Sequence, residues 1–135
     1  MNVLVDTSVW SLALRRAKRV DGGTSSELAE LIRQGRVVML GPVRQELLSG
    51  VKLKPQFEQL REHLRAFPDL ELTSEDYEDA AAAFNRCRER GIQGSNTDFL
   101  ICAAAMRRDL AIYTTDGDFR HFRRVLRLRL YEPQT

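Results

Sequence analysis

The chain opens Met1-Asn2-Val3-Leu4-Val5-Asp6-Thr7-Ser8-Val9-Trp10. Asn2 to Val5 is a short apolar run that ends on an acid, which reads as a buried strand. Val9, Trp10, Leu12, Ala13 and Leu14 then fall at helical spacing, so Thr7 to Ala17 reads as a helix. A buried strand that runs straight into a helix is the first step of a βαβ alternation.

The rest of the chain repeats that step. After a loop at Val20-Asp21-Gly22-Gly23, Thr24 or Ser25 can cap a helix that runs to about Gln34, with Gly35 as its stop. Val37 to Leu40 reads as a second strand, and Gly41-Pro42 opens a helix that Gly50 ends. A further helix runs from about Pro55 to Ala66, and Leu70 to Leu72 reads as a short strand. Thr73 or Ser74 starts the longest helix, to about Arg90, with acids on the positive end of its dipole. Thr97 to about Arg108 is an apolar helix, Ala111 to Thr114 a strand, and Asp116 to Arg124 a short helix or turn. Leu126, Leu128 and Leu130 alternate with Arg127 and Arg129, as in a strand wet on one side. Strands alternating with helices predict an α/β fold: a three-layer α/β/α sandwich around a mostly parallel sheet of four to five strands, in one domain spanning 1–135.

Composition narrows the function. Hydrophobic residues make up 43% of the 135 and charged residues 30%, a globular balance. No apolar run approaches the roughly 20 residues that cross a bilayer, and no basic segment precedes the first apolar one, so a cytoplasmic protein without a membrane partner is expected. Cys87 and Cys102 lie in apolar helical patterns and read as reduced core residues. His63 and His121 sit among charges and read as surface residues. The formal net charge is +2, yet arginines crowd at 15–19, at 107–108 and from 120 to 129. Basic surface beside an acidic pocket suits a polyanion.

The acids carry the chemistry. Asp6 follows the first strand and Asp116 the Ala111 to Thr114 strand, which puts both at the carboxyl edge of the sheet, where α/β proteins bind ligands. Glu46 lies about one turn into the helix that starts at that edge, and Asp98 heads an otherwise apolar helix. Carboxylates about 5 Å apart at an effective dielectric near 20 repel by roughly 3 kcal/mol per pair. Three or four such pairs would rival the roughly 5–15 kcal/mol stability of a whole domain. Hard divalent cations are the natural neutralisers, and they serve phosphoryl chemistry by polarising the phosphate, activating water and stabilising the leaving oxygen. No phosphate loop and no Ser–His–Asp set can be drawn from these residues.

Four blocks together resemble the PIN-domain ribonucleases, and within them the VapC-type toxins of toxin–antitoxin modules. They are Val3 to Trp10, Pro42-Val43-Arg44-Gln45-Glu46-Leu47-Leu48-Ser49-Gly50, Thr97 to Ala105, and Thr114-Thr115-Asp116-Gly117-Asp118-Phe119. The resemblance implies that Asp6, Glu46, Asp98 and Asp116 are catalytic, metal-binding acids, with Asp118 able to share or replace the role of Asp116. It implies a hydroxyl near the site at Thr7 or Ser8, and another at Thr115. It further implies Mg²⁺, or Mn²⁺, as cofactor, RNA as substrate, a cognate antitoxin and a homodimer. Arg15, Arg16 and Arg120 are candidates to hold the RNA backbone. Two rival readings remain: a haloacid-dehalogenase-like phosphatase, which wants an acid where Ser8 stands, and a non-catalytic Mg²⁺-binding adaptor or receiver-like domain.

Overall fold

The computed structural model describes residues 1–15 and 24–133. The predicted loop at 20–23 and the arginine candidate Arg16 lie outside the described residues. The elements run β1 Val3–Val5, α1 Thr7–Arg15, α2 Thr24–Arg33, β2 Val37–Val38, α3 Gly41–Ser49, α4 Lys54–Leu64, α5 Ser74–Glu89, α6 Asn96–Arg108, β3 Ala111–Tyr113 and α7 Asp118–Phe122. The strands are parallel in the order β2-β1-β3, with Val3 opposite both Val37 and Ala111.

The sheet is narrower than predicted. The fourth and fifth strands shrink to single parallel bridges, Met39 to Asp69 on one side and Ile112 to Leu130 on the other. Each edge nevertheless extends the sheet. Leu126 and Leu128 are buried while Arg127 and Arg129 are exposed, so the predicted alternation holds without a continuous ladder. Proline placement opens both α3 and α4, and Gly35, at φ 68°, reverses the chain after α2.

β1 lies between its neighbours, and Val3, Leu4 and Val5 have no solvent exposure. α6 supplies the other half of the core: Phe99 through Ala105 are all buried, so seven consecutive residues face protein on every side. Such a helix needs small residues where its partner approaches. Ala103, Ala104 and Ala105 supply them on α6, Ala80 and Ala83 on the antiparallel α5. Arg44 fastens α3 to the end of α4, its Nε donating to Asp69 Oδ1 at 2.9 Å and its Nη1 to the Leu64 carbonyl at 3.0 Å, with Nη2 bonded to the Phe67 carbonyl. Glu46, two residues further along α3, inherits that fixed position.

With β1 in the middle, the chain leaves it toward β2 and later returns on the other side as β3. The order of strands therefore reverses between β1 and β3, and the crevice beyond their carboxyl ends is where an α/β sheet exposes a ligand site.

Candidate active site

Asp6 stands at that crevice, 5% exposed, directly after β1. Its backbone N–H donates to the Tyr113 carbonyl at 2.9 Å, so β3 fixes its main chain. Its side chain is fixed by two hydroxyls that converge on one oxygen. Ser8 Oγ and Thr114 Oγ1 each donate to Asp6 Oδ2 at 2.8 Å. Each hydroxyl in turn accepts a backbone N–H from the loop after β3: Thr115 N–H to Ser8 Oγ at 3.1 Å, and Asp116 N–H to Thr114 Oγ1 at 3.0 Å. The loop carrying Asp116 is thus registered on Asp6 by two short relays.

The remaining acids are also held locally. Thr7 Oγ1 donates to Glu46 Oε1 at 2.6 Å, which ties α3 to the start of α1. Asp98 is the third residue of α6 and closes a capping box: Ser95 N–H donates to Asp98 Oδ2 at 3.0 Å, and Asp98 N–H to Ser95 Oγ at 3.1 Å. Asp116 Oδ1 accepts the Asp118 N–H at 2.9 Å, capping the start of α7. Among the described residues each of these four acids is therefore anchored through a single carboxylate oxygen. The second oxygen of each makes no hydrogen bond to a described residue.

Asp98 shows what the grouping costs. Its carboxyl is pushed above the usual range, first by burial and then by the negative charges of Asp6 and Asp116, against the Ser95 backbone N–H and hydroxyl, which lower it. Asp6, Asp98 and Asp116 therefore share one field. Glu46 and Asp118 are both exposed, and neither is among the charges acting on Asp98; Glu46 is tied to Thr7, the residue after Asp6. The four acids were expected to meet within a few ångströms. Among the described residues no three acid, histidine or cysteine side chains already form a metal-holding group. Each acid is instead held on its own anchor at the same edge.

The residues nonetheless fit a divalent cation. The donors are hard carboxylate oxygens, one uncommitted per acid among the described residues, and Cys102 nearby is a buried thiol pushed upward by burial and so kept protonated. His63 and His121 are exposed.

Some sequence expectations change. The hydroxyl beside Asp116 is supplied by Thr114, not Thr115, whose contribution is its backbone N–H. Thr7 and Ser8 both serve, on different acids. Arg107 and Arg108 are not free basic surface: Arg108 makes a fork of 2.7 and 2.8 Å on Asp76, and Arg107 adds a contact of 3.1 Å. Arg120 is exposed. With Thr114, Thr115 and Asp116 it lines a polar cleft of about 200 Å³.

The PIN domain model matches residues 3–125. No curated protein sequence matches the chain. Solved structures share its fold, among them the three that follow. FitAcB from Neisseria gonorrhoeae has a TM-score of 0.76 at 22% identity over 97% of each chain. VapBC2 from Rickettsia felis, bound to a DNA fragment from its promoter, has a TM-score of 0.76 at 20% identity, covering 97% of this chain and 98% of that one. VapBC-1 from nontypeable Haemophilus influenzae has a TM-score of 0.75 at 16% identity over 98% of each.

Proposed function

The chain belongs to the PIN domain family, and from that premise we propose that it is a divalent-metal-dependent endoribonuclease, the toxin of a VapC-type toxin–antitoxin pair. The observation that carries the reading is the sharing of one electrostatic field by Asp6, Asp98 and Asp116, each tied down through one oxygen only. A fold gains nothing from gathering like charges unless something neutralises them. The basic side chain of Arg120 beside Asp116 supports a polyanionic substrate.

Asp6, Asp98 and Asp116 would hold the cation, with Glu46 as the fourth acid. We assign that role to Asp116 rather than Asp118 because the charge of Asp116, and not that of Asp118, acts on Asp98. When bound, Mg²⁺ or Mn²⁺ supplies Lewis-acid stabilisation of the charge that develops on the phosphate. The chain's own groups do the rest. Ser8 and Thr114 orient the Asp6 carboxylate. Thr7 steers Glu46, whose exposed carboxylate is placed to accept a proton from water. Arg120 pairs with a backbone phosphate and keeps the strand in register.

The toxin reading draws on the VapBC relatives and on the structure of a toxin–antitoxin complex from Klebsiella pneumoniae, with a TM-score of 0.65 at 17% identity, covering 87% of this chain and 90% of that one. With it go a cognate antitoxin over the acidic edge, a homodimer, a cytoplasmic location, and a single nuclease domain over 1–135. Among the described residues no helix is long and apolar enough to cross a membrane. The test is incubation of purified protein with total RNA in Mg²⁺, in Mn²⁺ and in EDTA, followed by mapping of the cut ends. Cleavage at defined internal positions, dependent on the cation and lost in Asp6→Asn, is expected. Hydrolysis of a generic phosphate monoester without RNA cleavage would favour the phosphatase reading. Cation binding without either activity would favour the adaptor.

A further inference from the structure

Beside the acids, α5 and α6 enclose a groove of about 490 Å³. Its floor is Ala80 and Ala81, and the aromatic rings of Tyr77 and Phe84 stand two helical turns apart at either end. Asn85 and Asn96 bring amides to its walls, and Thr97 adds a hydroxyl. Three features set it apart. Its lining carries no acid and no base, although charged residues are 30% of the chain. Tyr77 is 55% exposed, a large ring presented to solvent. Asn96 and Thr97 are the first two residues of α6 and immediately precede Asp98, so the groove opens within one helical turn of the acidic edge.

We propose that this groove is a nucleobase subsite: it takes one unstacked base of the RNA next to the cut, stacked on the exposed Tyr77 ring, with Phe84, itself packed on Phe99 and under Arg88, closing the far end, and reads its edge with Asn85 and Asn96. The proposal rests on the ribonuclease reading and names where that substrate is held beyond the scissile phosphate. Its chemistry follows from the lining. Proteins that read single-stranded RNA stack splayed-out bases on aromatic faces and bond their edges. An amide offers both a donor and an acceptor to such an edge. Asn85 is already steadied, its Oδ1 accepting from Arg88 Nη2 at 3.0 Å, which leaves its NH₂ to donate. An uncharged groove refuses the phosphates and receives the base, while the acidic edge and Arg120 receive the backbone. The volume lies within the roughly 300–1,000 Å³ of small-molecule sites.

Two measurements test the proposal, and they separate it from the nuclease reading. In the first, the uncharged nucleosides adenosine, guanosine, cytidine and uridine are titrated into the protein while the side-chain amide signals of Asn85 and Asn96 are followed by NMR. Saturable shifts confined to these amides, stronger for one base, are expected, and Tyr77→Ala should weaken them about tenfold while Tyr77→Phe preserves them. This readout needs no catalysis, so it stands or falls even if the protein cleaves nothing. In the second, wild type and Tyr77→Ala cleave a pool of short RNAs randomised around the cut. The variant should lose its preference at one flanking position, read from the relative yields of the cut sequences and not from the total rate. Because Tyr77 is exposed, the variant should melt within a degree or two of wild type. No amide shifts at millimolar nucleoside would overturn the proposal. So would a Tyr77→Ala variant that dissociates a dimer and leaves base preference untouched, since the groove would then be a contact between copies of the chain.

Discussion

Asp76 and Asp98 occupy the same local position in two neighbouring helices, and the fold treats them in opposite ways. Each is the third residue of its helix and closes a capping box, on Thr73 in α5 and on Ser95 in α6. Asp76 is wholly buried, and both its oxygens are committed: Oδ1 to Arg108 and Arg107, Oδ2 to Arg108 and the Thr73 N–H. Those partners, the Arg108 fork above all, hold its carboxyl well below the usual carboxylate range. Asp98 has the same cap but, among the described residues, no cation. Its neighbours are two more acids, its carboxyl is pushed upward, and one oxygen is left without a described partner. The contrast teaches that a capping aspartate at a helix start says little about role. What distinguishes a structural acid from a site acid is whether the fold supplies its counter-charge or leaves that to a ligand.

Swapping the two acids' fates gives the largest expected effect. Asp98→Asn should reduce metal-dependent RNA cleavage to background while raising the metal-free stability slightly, by ~1 kcal/mol or less, seen as a small rise in melting temperature, because one like charge is removed. Asp76→Asn should do the reverse. It should leave the acidic edge intact and cost about 3 kcal/mol of stability, at the low end for a broken buried pair, because Arg108 and Arg107 keep 24% and 33% of their side chains in solvent. Thermal melts and cleavage rates on the two variants decide it; similar behaviour in both assays would erase the distinction.

Gly94 sharpens the comparison, because it lies just before the Ser95 cap and packs on the helix that follows Asp116. A Cβ there would come 2.5 Å from Phe122 Cζ and 3.0 Å from Phe99 Cε2. Gly94→Ala should therefore cost ~1–3 kcal/mol and lower cleavage by shifting Asp98 against Asp116. Adding Phe122→Leu should restore part of both, and an unchanged melting temperature in the single variant would contradict the close packing.

A smaller effect is expected at Thr114. Thr114→Val removes one of the two donors on Asp6 Oδ2 and the acceptor for the Asp116 N–H. Cleavage should fall on the order of 10-fold to 100-fold, as for other groups that orient a metal-binding acid. Thr115→Val should change little, since its backbone makes the contact.

The smallest effect is a pH dependence. Asp76 has a depressed folded-state pKa, so its ion pair contributes its full stability above the unfolded value near 3.8 and loses it as pH falls through the folded value. Acid unfolding below about pH 4 should accordingly be shallower in Asp76→Asn than in wild type, as followed by circular dichroism against pH.

Much of this was legible in the amino-acid order. Val3-Leu4-Val5-Asp6 declares a buried strand that delivers an acid to the sheet edge, and Gly41-Pro42 sets the start of the helix that carries Glu46. The outer strands were overcalled because Leu70 to Leu72 and Leu126 to Leu130 have strand-like patterns, but each meets the sheet at a single bridge. Periodicity reports which side is dry and says nothing of how many hydrogen bonds form. The Asp76 pair was invisible because its partner lies 32 residues away, and Arg107-Arg108 read equally well as open basic surface. Of the adjacent hydroxyls at Thr114 and Thr115, only the direction of the chain leaving β3 decides which reaches Asp6.

Cation binding at the acidic edge is the central requirement of this site, and Mn²⁺ titration followed by calorimetry measures it. Wild type, Asp76→Asn and Asp118→Asn should bind Mn²⁺ alike, whereas Asp98→Asn and Asp6→Asn should bind it at least tenfold more weakly. Equal Mn²⁺ binding by Asp98→Asn and wild type, or none by wild type, would contradict it.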